Sequence, residues 1–230
     1  MYSVVEALGR LLLEQGGEVR TGEEVEEIVV EDGRAVGVRT LSGELRADLV
    51  VSNADPGHTY GALVDRKDRK RWSDRKLAST DWSMSCFLLY LGTKRQYPQL
   101  EHHTLILSER YKDLLHDIFG RKILPEDFSM YLHAPTRTDP EMAPPGSESM
   151  YVLVPVANQQ SGIDWSEIRE RFADTIIDYL EEWGLEDLRE QIEVQHVFTP
   201  EDFESELNAT WGNAFAIEPK FTQTAWFRPQ

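Results

Sequence analysis

The sequence predicts a mixed α/β protein built in two parts. Residues 16–53 hold short apolar runs separated by two glycine-containing turns, and residues 165–183 show helical periodicity between strand-like runs. Helices next to apolar strands predict a parallel sheet with a small antiparallel insert in the first part. The second part is expected to be a mixed antiparallel sheet covered by helices. The 230 residues have room for both parts, which we place at residues 1–56 and 57–230.

Residues 1–56 predict a helix, a β-meander and the strands on either side of it. Apolar side chains recur at helical spacing in residues 2–15, and Gly16-Gly17 ends this helix because glycine reaches the left-handed conformation cheaply. Asp32-Gly33 and Ser42-Gly43 predict two tight turns. The expected strands are residues 18–20, 25–30, 35–40 and 45–51. The last strand ends in a continuous apolar run, typical of burial on both faces, and Asp55-Pro56 begins the next helix.

Residues 57–230 alternate between predicted strands and helices. The stretch 56–79 is strongly charged in its middle, which favours a solvated helix or loop. The expected strands are residues 83–93, 104–107, 128–133, 150–156 and 192–198, and the expected helices are residues 109–119, 165–183 and 200–207. Asp164 and Thr199 are the predicted N-caps of the last two helices, and Gly184 ends the longer one.

Composition narrows the classes of function. The net charge is −17 and the isoelectric point is about 4.7. We therefore expect no nucleic-acid binding, because phosphate contacts need a basic face. No run approaches eighteen consecutive apolar residues, so the sequence predicts no membrane-spanning helix. The single cysteine, Cys86, excludes an internal disulfide and is expected to be a small buried residue.

The six histidines do not show the spacing of a metal site. His102 and His103 are adjacent on a predicted strand, so their rings are expected to point to opposite faces and not to share a metal. The other four, which lack ligand spacing, are His58, His116, His133 and His196. Structural or surface histidines are therefore favoured over ligands, and we predict no metal.

One group of motifs lies in residues 18–38, with Glu18, Val25, Ile28, Gly33 and Gly37, and continues in Ala47–Ala54. These residues resemble the phytoene desaturase family of flavoproteins. The motifs similar to the bacterial lycopene-forming enzymes are Ser85–Gly92, His102–Thr104, Asp127–Pro135, Phe198–Pro200 and Trp226–Pro229. The resemblance covers essentially the whole chain. It identifies residues 1–56 as part of a Rossmann-like FAD/NAD(P)-binding domain and residues 57–230 as a substrate-binding domain.

The resemblance also implies a cofactor and a substrate. FAD is expected in the intact enzyme, with Val25, Ser52, Asn53 and Ala54 as its contacts. The family's glycine-rich phosphate loop near its N-terminus and its glycine-rich flavin segment near its C-terminus have no match in these residues. We therefore interpret the chain as an internal fragment that does not hold FAD by itself. The substrate is expected to be a carotenoid hydrocarbon, with phytoene desaturated towards lycopene.

A hydrocarbon substrate needs an apolar channel more than a polar constellation. The candidate lining residues are Phe87, Leu89, Tyr131, Met150, Val152, Phe215 and Phe221. Each of them is alternatively a plain core residue, and no catalytic acid or base can be named.

Other functions are kept open at this point. The chain is alternatively a related carotenoid isomerase or oxidase, or a non-catalytic folded fragment that binds an apolar ligand or a partner. We expect a cytoplasmic location, with peripheral contact to the inner face of the membrane for the intact enzyme. The sequence gives no indication of oligomeric state.

Overall fold

The computed structural model describes residues 2–223, which form two compact units. The first unit is Met1–Asn53 with Thr59–Asp74, and the second is Ala54–His58 with Arg75–Gln230. The sequence predicts a single boundary near residue 57. In the structure, Ala54–His58 already belongs to the second unit, whereas the following Thr59–Asp74 belongs to the first. The assignment of the two parts to cofactor and substrate stays a prediction.

The first unit contains the predicted helix and β-meander. Helix α1 is Tyr2–Glu14, and it ends at Gly16, whose φ of +82° is the left-handed conformation expected of a terminating glycine. Strands β1 (Val25–Glu31), β2 (Arg34–Thr40) and β3 (Gly43–Arg46) form an antiparallel sheet in that order. Asp32 and Gly33 both have positive φ in the first turn. Two register shifts along β1 confirm the irregularity that its uneven apolar spacing predicts.

Two predicted strands of this unit are wrong. Neither residues 18–20 nor residues 47–51 form a strand, and the sheets of the described residues 2–223 are antiparallel throughout. Leu49 and Val51, predicted to be buried on both faces, are 76% and 82% exposed. The physical reason is that a strand needs a neighbour to pair its backbone groups. The backbone N–H of Ala47 still donates to the Val36 carbonyl at 2.9 Å, but no described segment pairs with residues 48–51.

The segment after the meander begins a helix where predicted. Asp55 caps it, because its carboxylate accepts hydrogen bonds from the backbone N–H groups of Gly57 (2.8 Å) and His58 (3.2 Å). The helical elements of this segment are α2 (Pro56–His58), a π-helix (Thr59–Leu63), a 3₁₀-helix (Arg66–Asp68) and α3 (Asp74–Ala78). Its charged middle is largely exposed, as predicted.

The second unit is built on a five-stranded antiparallel sheet. Its strands are β4 (Ser85–Thr93), β5 (His103–Ile106), β6 (Met130–His133), β7 (Glu148–Val156) and β8 (Ile192–Phe198), in the spatial order β5-β6-β7-β4-β8. Its helices are α4 (Tyr111–Leu115), continued by a π-helix (His116–Arg121), α5 (Trp165–Trp183), α6 (Leu188–Gln191) and α7 (Pro200–Leu207). Four short 3₁₀-helices are Pro135–Arg137, Pro140–Met142, Gln159–Ser161 and Thr210–Gly212. The mixed α/β class with an antiparallel sheet covered by helices is confirmed.

The core lies between one face of this sheet and α5. Every second residue of β4 and β7 is buried, and the stripe of α5 that faces them includes Phe172, Ile176 and Leu180. The ring of Phe87 meets Phe172 edge-on at 4.9 Å between centroids. The two-residue period of the strands therefore gives the sheet one covered face and one face that α5 does not cover.

Asp164 occupies the N-cap position of α5, as predicted. Asp164 makes no side-chain cap bond; instead the backbone N–H of Trp165 donates to the Glu201 carboxylate at 3.1 Å. Glu201 belongs to α7. The N-cap of α7 is Thr199, as predicted, and it forms a reciprocal capping box with Asp202. A tertiary contact has replaced the local one, and it ties the starts of the two helices together.

Glu148 is a buried carboxylate at the start of β7. Its side chain is fully buried, and its Oε2 accepts hydrogen bonds from the Arg137 guanidinium at 2.5 Å and from the Tyr97 backbone N–H at 3.2 Å. Arg137 is mostly buried as well. The pair links the 3₁₀-helix after β6 to the beginning of β7.

Replacing Arg137 is expected to destabilise the second unit strongly. Arg137→Met keeps the length of the side chain but leaves the Glu148 charge buried without its partner, which typically costs about 3–5 kcal/mol. The measurement is the free energy of unfolding from denaturant titration. The matched control is Lys220→Met, which removes exposed ion pairs to Asp81 and Glu218 and should cost no more than about 1 kcal/mol. Equal effects of the two variants would contradict the buried-pair interpretation.

Cys86 is buried on β4, as the sequence predicts, and burial raises the pKa of its thiol to about 12. The reactive thiolate is therefore scarce at neutral pH. We expect a chromogenic disulfide reagent at pH 8 to label Cys86 only after denaturant has unfolded the protein. The native protein should release no chromophore on the timescale of the unfolded control, and equally rapid native labelling would show that the strand is open.

Candidate functional site

A row of ring side chains crosses all five strands on the sheet face opposite α5. In the strand register, His133 lies opposite both His103 and Tyr151, and Tyr90 lies opposite both Tyr151 and His196. From His103 to His196, successive ring centroids are 5.4, 5.0, 5.7 and 6.0 Å apart. These distances are those of aromatic contacts, so the five side chains, which we call the ring row, form a continuous ribbon.

A second row, mostly apolar, runs beside the ring row. It consists of Leu105, Tyr131, Leu153, Leu88 and Phe198, each opposite the next across the sheet. All but Leu105 are half-buried, and Leu105 is exposed on the edge strand. We call these five residues the apolar row. Together the two rows make a surface with the composition of a site for an apolar ligand.

A groove lies beside Tyr90 of the ring row. It has a volume of about 330 Å³, and its lining includes Tyr90, Gly92, Met142, Pro144, Ser149 and Val194. This volume is at the lower end of those found for small-ligand sites. Gly92 on β4 and Ser149 on β7 have small side chains, and they leave space for the groove next to Tyr90.

The tyrosines of the ring row are uncharged at neutral pH. Burial is the main cause that raises the pKa of Tyr90 and the pKa of Tyr151 above their ordinary values. For Tyr151, the neighbouring phenol of Tyr131 raises the pKa further. The phenols therefore keep their protons, and this part of the surface presents no net charge to a bound molecule.

The structure brings only part of the predicted channel together. Phe87, Leu89, Met150 and Val152 lie on the sheet face covered by α5 and are fully buried in the core. In the described structure they pack as core residues against the helix, and their assignment as channel residues stays an untested prediction. Tyr131 lies on the open face, in the apolar row.

The two remaining channel candidates lie outside the sheet. Phe215 is 60% exposed, and Phe221 is 96% exposed near the end of the described residues. Neither is placed in the two rows by the strand register. The sequence-based list of channel residues does not include four residues of the open face: Leu88, Tyr90, Tyr151 and Leu153. The sequence does not show which face of each strand α5 covers, and that information is needed to identify them.

Three histidines meet at the β5 end of the ring row. Nε2 of His102 and Nε2 of His133 are 2.8 Å apart, and one potential ligand atom from each of His102, His103 and His133 lies within 4.8 Å of the others. The prediction that His102 and His103 point to opposite faces is wrong, since their ring centroids are 4.3 Å apart. The reason is that β5 begins at His103, so His102 sits in a bend and does not follow the strand alternation.

The electrostatics of the cluster favour a neutral imidazole at His133. Burial is the largest cause that lowers the pKa of His133, and the positive charge that His102 or His103 could carry lowers it further. His102 Nδ1 lies 2.6 Å from Thr138 Oγ1, and His103 Nδ1 lies 2.6 Å from the Tyr131 hydroxyl. Each of these two rings is thus held by a hydroxyl group.

The predicted FAD contacts lie in exposed or partly exposed backbone of the first unit and its border. Val25 begins β1, and Ser52 is exposed with its hydroxyl 2.8 Å from Thr59 Oγ1. Asn53 and Ala54 follow Ser52 along the chain and are exposed. Their contact with FAD stays a prediction.

Comparison with known families assigns this fold. Residues 1–230 match the family described as flavin containing amine oxidoreductase. The chain belongs to the flavin containing amine oxidoreductase family. The sequence-based expectation of a flavoprotein family is therefore confirmed.

Within this family, the chain is similar to enzymes named phytoene desaturases. It is 43% identical over 236 residues to the neurosporene-forming phytoene desaturase of Rhodobacter capsulatus, covering 100% of the chain and 45% of that protein. It is 42% identical over 229 residues to the lycopene-forming enzyme of Pseudescherichia vulneris, covering 99% and 46%. A zeta-carotene-forming enzyme of Myxococcus xanthus is 38% identical over 231 residues, covering 100% and 44%. The chain thus spans less than half the length of these relatives.

Solved structures support the fold. An oxidoreductase from Methanosarcina mazei superposes with a TM-score of 0.52 at 22% identity, and a protein from Pyrococcus furiosus superposes with a TM-score of 0.57 at 17% identity. Each alignment covers 85% of this chain and 41% of the other. Among the helices of residues 2–223, none combines the length and the apolar character needed to cross a membrane.

Proposed function

We propose that this chain is part of a FAD-dependent desaturase that acts on a carotenoid hydrocarbon of the phytoene type. The observation that carries this proposal is the identity of 42–43%, over essentially the whole chain, to proteins named phytoene desaturases. The ring row and the apolar row support it, because they offer a hydrocarbon a long surface of ring and apolar side chains across the sheet. Strands spaced about 4.8 Å apart make that surface roughly 19 Å wide over four intervals.

The surface has a defined task in such a reaction. Desaturation removes a hydride and a proton from adjacent carbons, and FAD supplies the hydride acceptor when it is bound. The apolar row would contact the hydrocarbon and exclude water from it. Tyr90 and Tyr151 would contact the hydrocarbon through their rings. Their phenols are neutral, so binding a hydrocarbon against them would not remove water from a charged group. Because these phenols hold their protons at neutral pH, they are not assigned as general bases.

The first unit would contribute to the cofactor site. We propose that Val25, Ser52, Asn53 and Ala54 contact FAD in the intact enzyme through their backbone groups. Further parts of the cofactor site would come from the length of the relatives that this chain does not span.

The extent of the reaction and the place of the enzyme are further parts of the proposal. We propose lycopene as the product, on the motif likeness at residues 102–104 and 127–135, although the relatives include neurosporene-forming and zeta-carotene-forming enzymes. A cytoplasmic protein with peripheral contact to the inner face of the membrane is proposed, because a carotenoid hydrocarbon dissolves in the lipid phase.

The full-length gene product tests this function. The purified protein should show the absorption spectrum of bound flavin and should convert phytoene supplied in liposomes, with the products separated by chromatography. Lycopene as the end product would support the finer proposal, whereas neurosporene or zeta-carotene would replace it. A colourless protein that FAD does not reconstitute, with no change in phytoene, would favour a non-catalytic ligand-binding or partner-binding role. An unchanged product mass with altered double-bond geometry would indicate an isomerase.

A charge placed on the apolar row should impair the reaction selectively. Leu153→Glu puts a carboxylate in the middle of the half-buried row, where contact with a hydrocarbon would strip its water. We expect phytoene conversion by the full-length enzyme to fall by at least about tenfold.

The control for this variant is Leu207→Glu, the same substitution at an exposed leucine of α7. It should leave phytoene conversion near that of the unmodified enzyme. Flavin content and melting temperature, measured on both variants, separate a loss of substrate contact from a loss of folding. Normal conversion by a folded Leu153→Glu enzyme would remove the open sheet face as the substrate surface.

A further inference from the structure

The three-histidine cluster has the chemistry of a metal site. His103 and His133 are direct neighbours on β5 and β6, and the bend before β5 turns His102 back towards His133. The nitrogen atoms that could serve as ligands all lie within 4.8 Å of one another. Imidazole nitrogen is a favoured ligand of zinc and of copper and nickel, and three imidazoles with one open position are an established zinc coordination set.

Neighbouring hydroxyl groups orient the rings of the cluster. Thr138 Oγ1 lies 3.4 Å from the Pro135 carbonyl oxygen, to which it donates, so it can accept the Nδ1–H of His102 at 2.6 Å. That hydrogen bond leaves the lone pair of His102 on Nε2, the nitrogen that faces His133. The Tyr131 hydroxyl holds the ring of His103 through Nδ1. Hydrogen bonds of this kind, from the far nitrogen of each ring, are the usual support of metal-binding histidines.

We infer that His102, His103 and His133 bind one divalent transition-metal ion, with Zn²⁺ as the expected ion. In the metal-free cluster, the 2.8 Å contact is a hydrogen bond in which Nε2–H of His133 donates to the Nε2 lone pair of His102. On metal binding this proton moves from Nε2 to Nδ1 of His133, and both Nε2 atoms then offer a lone pair to the ion.

The geometry needs only small adjustments to accept the ion. Zn–N bonds of about 2.0–2.1 Å in a tetrahedral site place the ligand nitrogens about 3.3–3.4 Å apart. The His102–His133 contact must therefore open by about half an ångström, and the widest pair must close by at most about 1.5 Å. His102 is partly buried and His103 is exposed, so rotation of their side chains can supply both movements.

The bound ion would fasten the edge of the sheet. It would join the bend before β5 to the end of β6, at a point where Thr138 also ties in the turn that follows the 3₁₀-helix Pro135–Arg137. The fourth position would remain for water or another ligand. This inference does not depend on the proposed reaction, because no part of it uses the hydrocarbon or the flavin.

The test is a zinc titration of the full-length flavoprotein after treatment with a chelator. We expect one Zn²⁺ per chain in competition with a chromophoric chelator. Co²⁺ should give the intense visible bands of a four-coordinate nitrogen site. His133→Gln and His103→Gln should each weaken Zn²⁺ binding by at least about 100-fold. His103 is exposed, so that variant carries the test if His133→Gln fails to fold.

Two further variants distinguish this site from non-specific binding. His196→Gln removes the histidine at the opposite end of the same ring row and should leave Zn²⁺ affinity and the Co²⁺ spectrum unchanged. Thr138→Val removes the hydroxyl that orients His102 and should weaken Zn²⁺ binding by about 10–100-fold. Absence of saturable binding, or an equal loss in His196→Gln and His133→Gln, would overturn the inference and leave a hydrogen-bonded histidine cluster.

Discussion

The pairing of β4 between β7 and β8 is the constraint on which the second unit depends. Nine residues of β4 pair with nine of β7 in unbroken register, and β8 adds itself to the other side. Because side chains alternate, this register sends Phe87, Leu89 and Leu91 into the core under α5 and Leu88 and Tyr90 to the opposite face. A slip of one residue would exchange the two sets, so the burial of the core side chains also fixes the position of the surface rows.

The sequence predicts much of this architecture where the local signal and the tertiary demand agree. The strand 192–198 and the helices 165–183 and 200–207 form at the expected residues, because apolar periodicity, a capping threonine and a terminating glycine all favour the same boundaries. The runs at 18–20 and 47–51 carry equally good strand composition. They form no strand because strand formation needs a neighbour along the whole run, which composition does not reveal. In the second run only Ala47 has a backbone partner, Val36.

The candidate site shows a different kind of difficulty. Alternation identifies two faces of each strand, but which face is covered depends on where α5 packs. The sequence alone therefore does not distinguish Phe87 and Val152 from Leu88 and Tyr151 as surface residues. The histidine cluster needs both the register that places His103 opposite His133 and the bend that frees His102 from the alternation. His102 and His133 are 31 positions apart in sequence. This separation matches no local ligand motif, so the sequence alone does not indicate that the two residues are in contact.

The exposed apolar residues of the first unit have a consequence for handling the protein. Leu8, Leu11 and Leu12 on α1 and Leu49 and Val51 after the meander all present large parts of their side chains to solvent. Surfaces of this kind associate with each other or with any apolar surface nearby. A recombinant preparation of this length of chain would therefore call for low protein concentration and a mild detergent. Its solubility would respond more to substitutions at these five side chains than to substitutions in the buried core of the second unit.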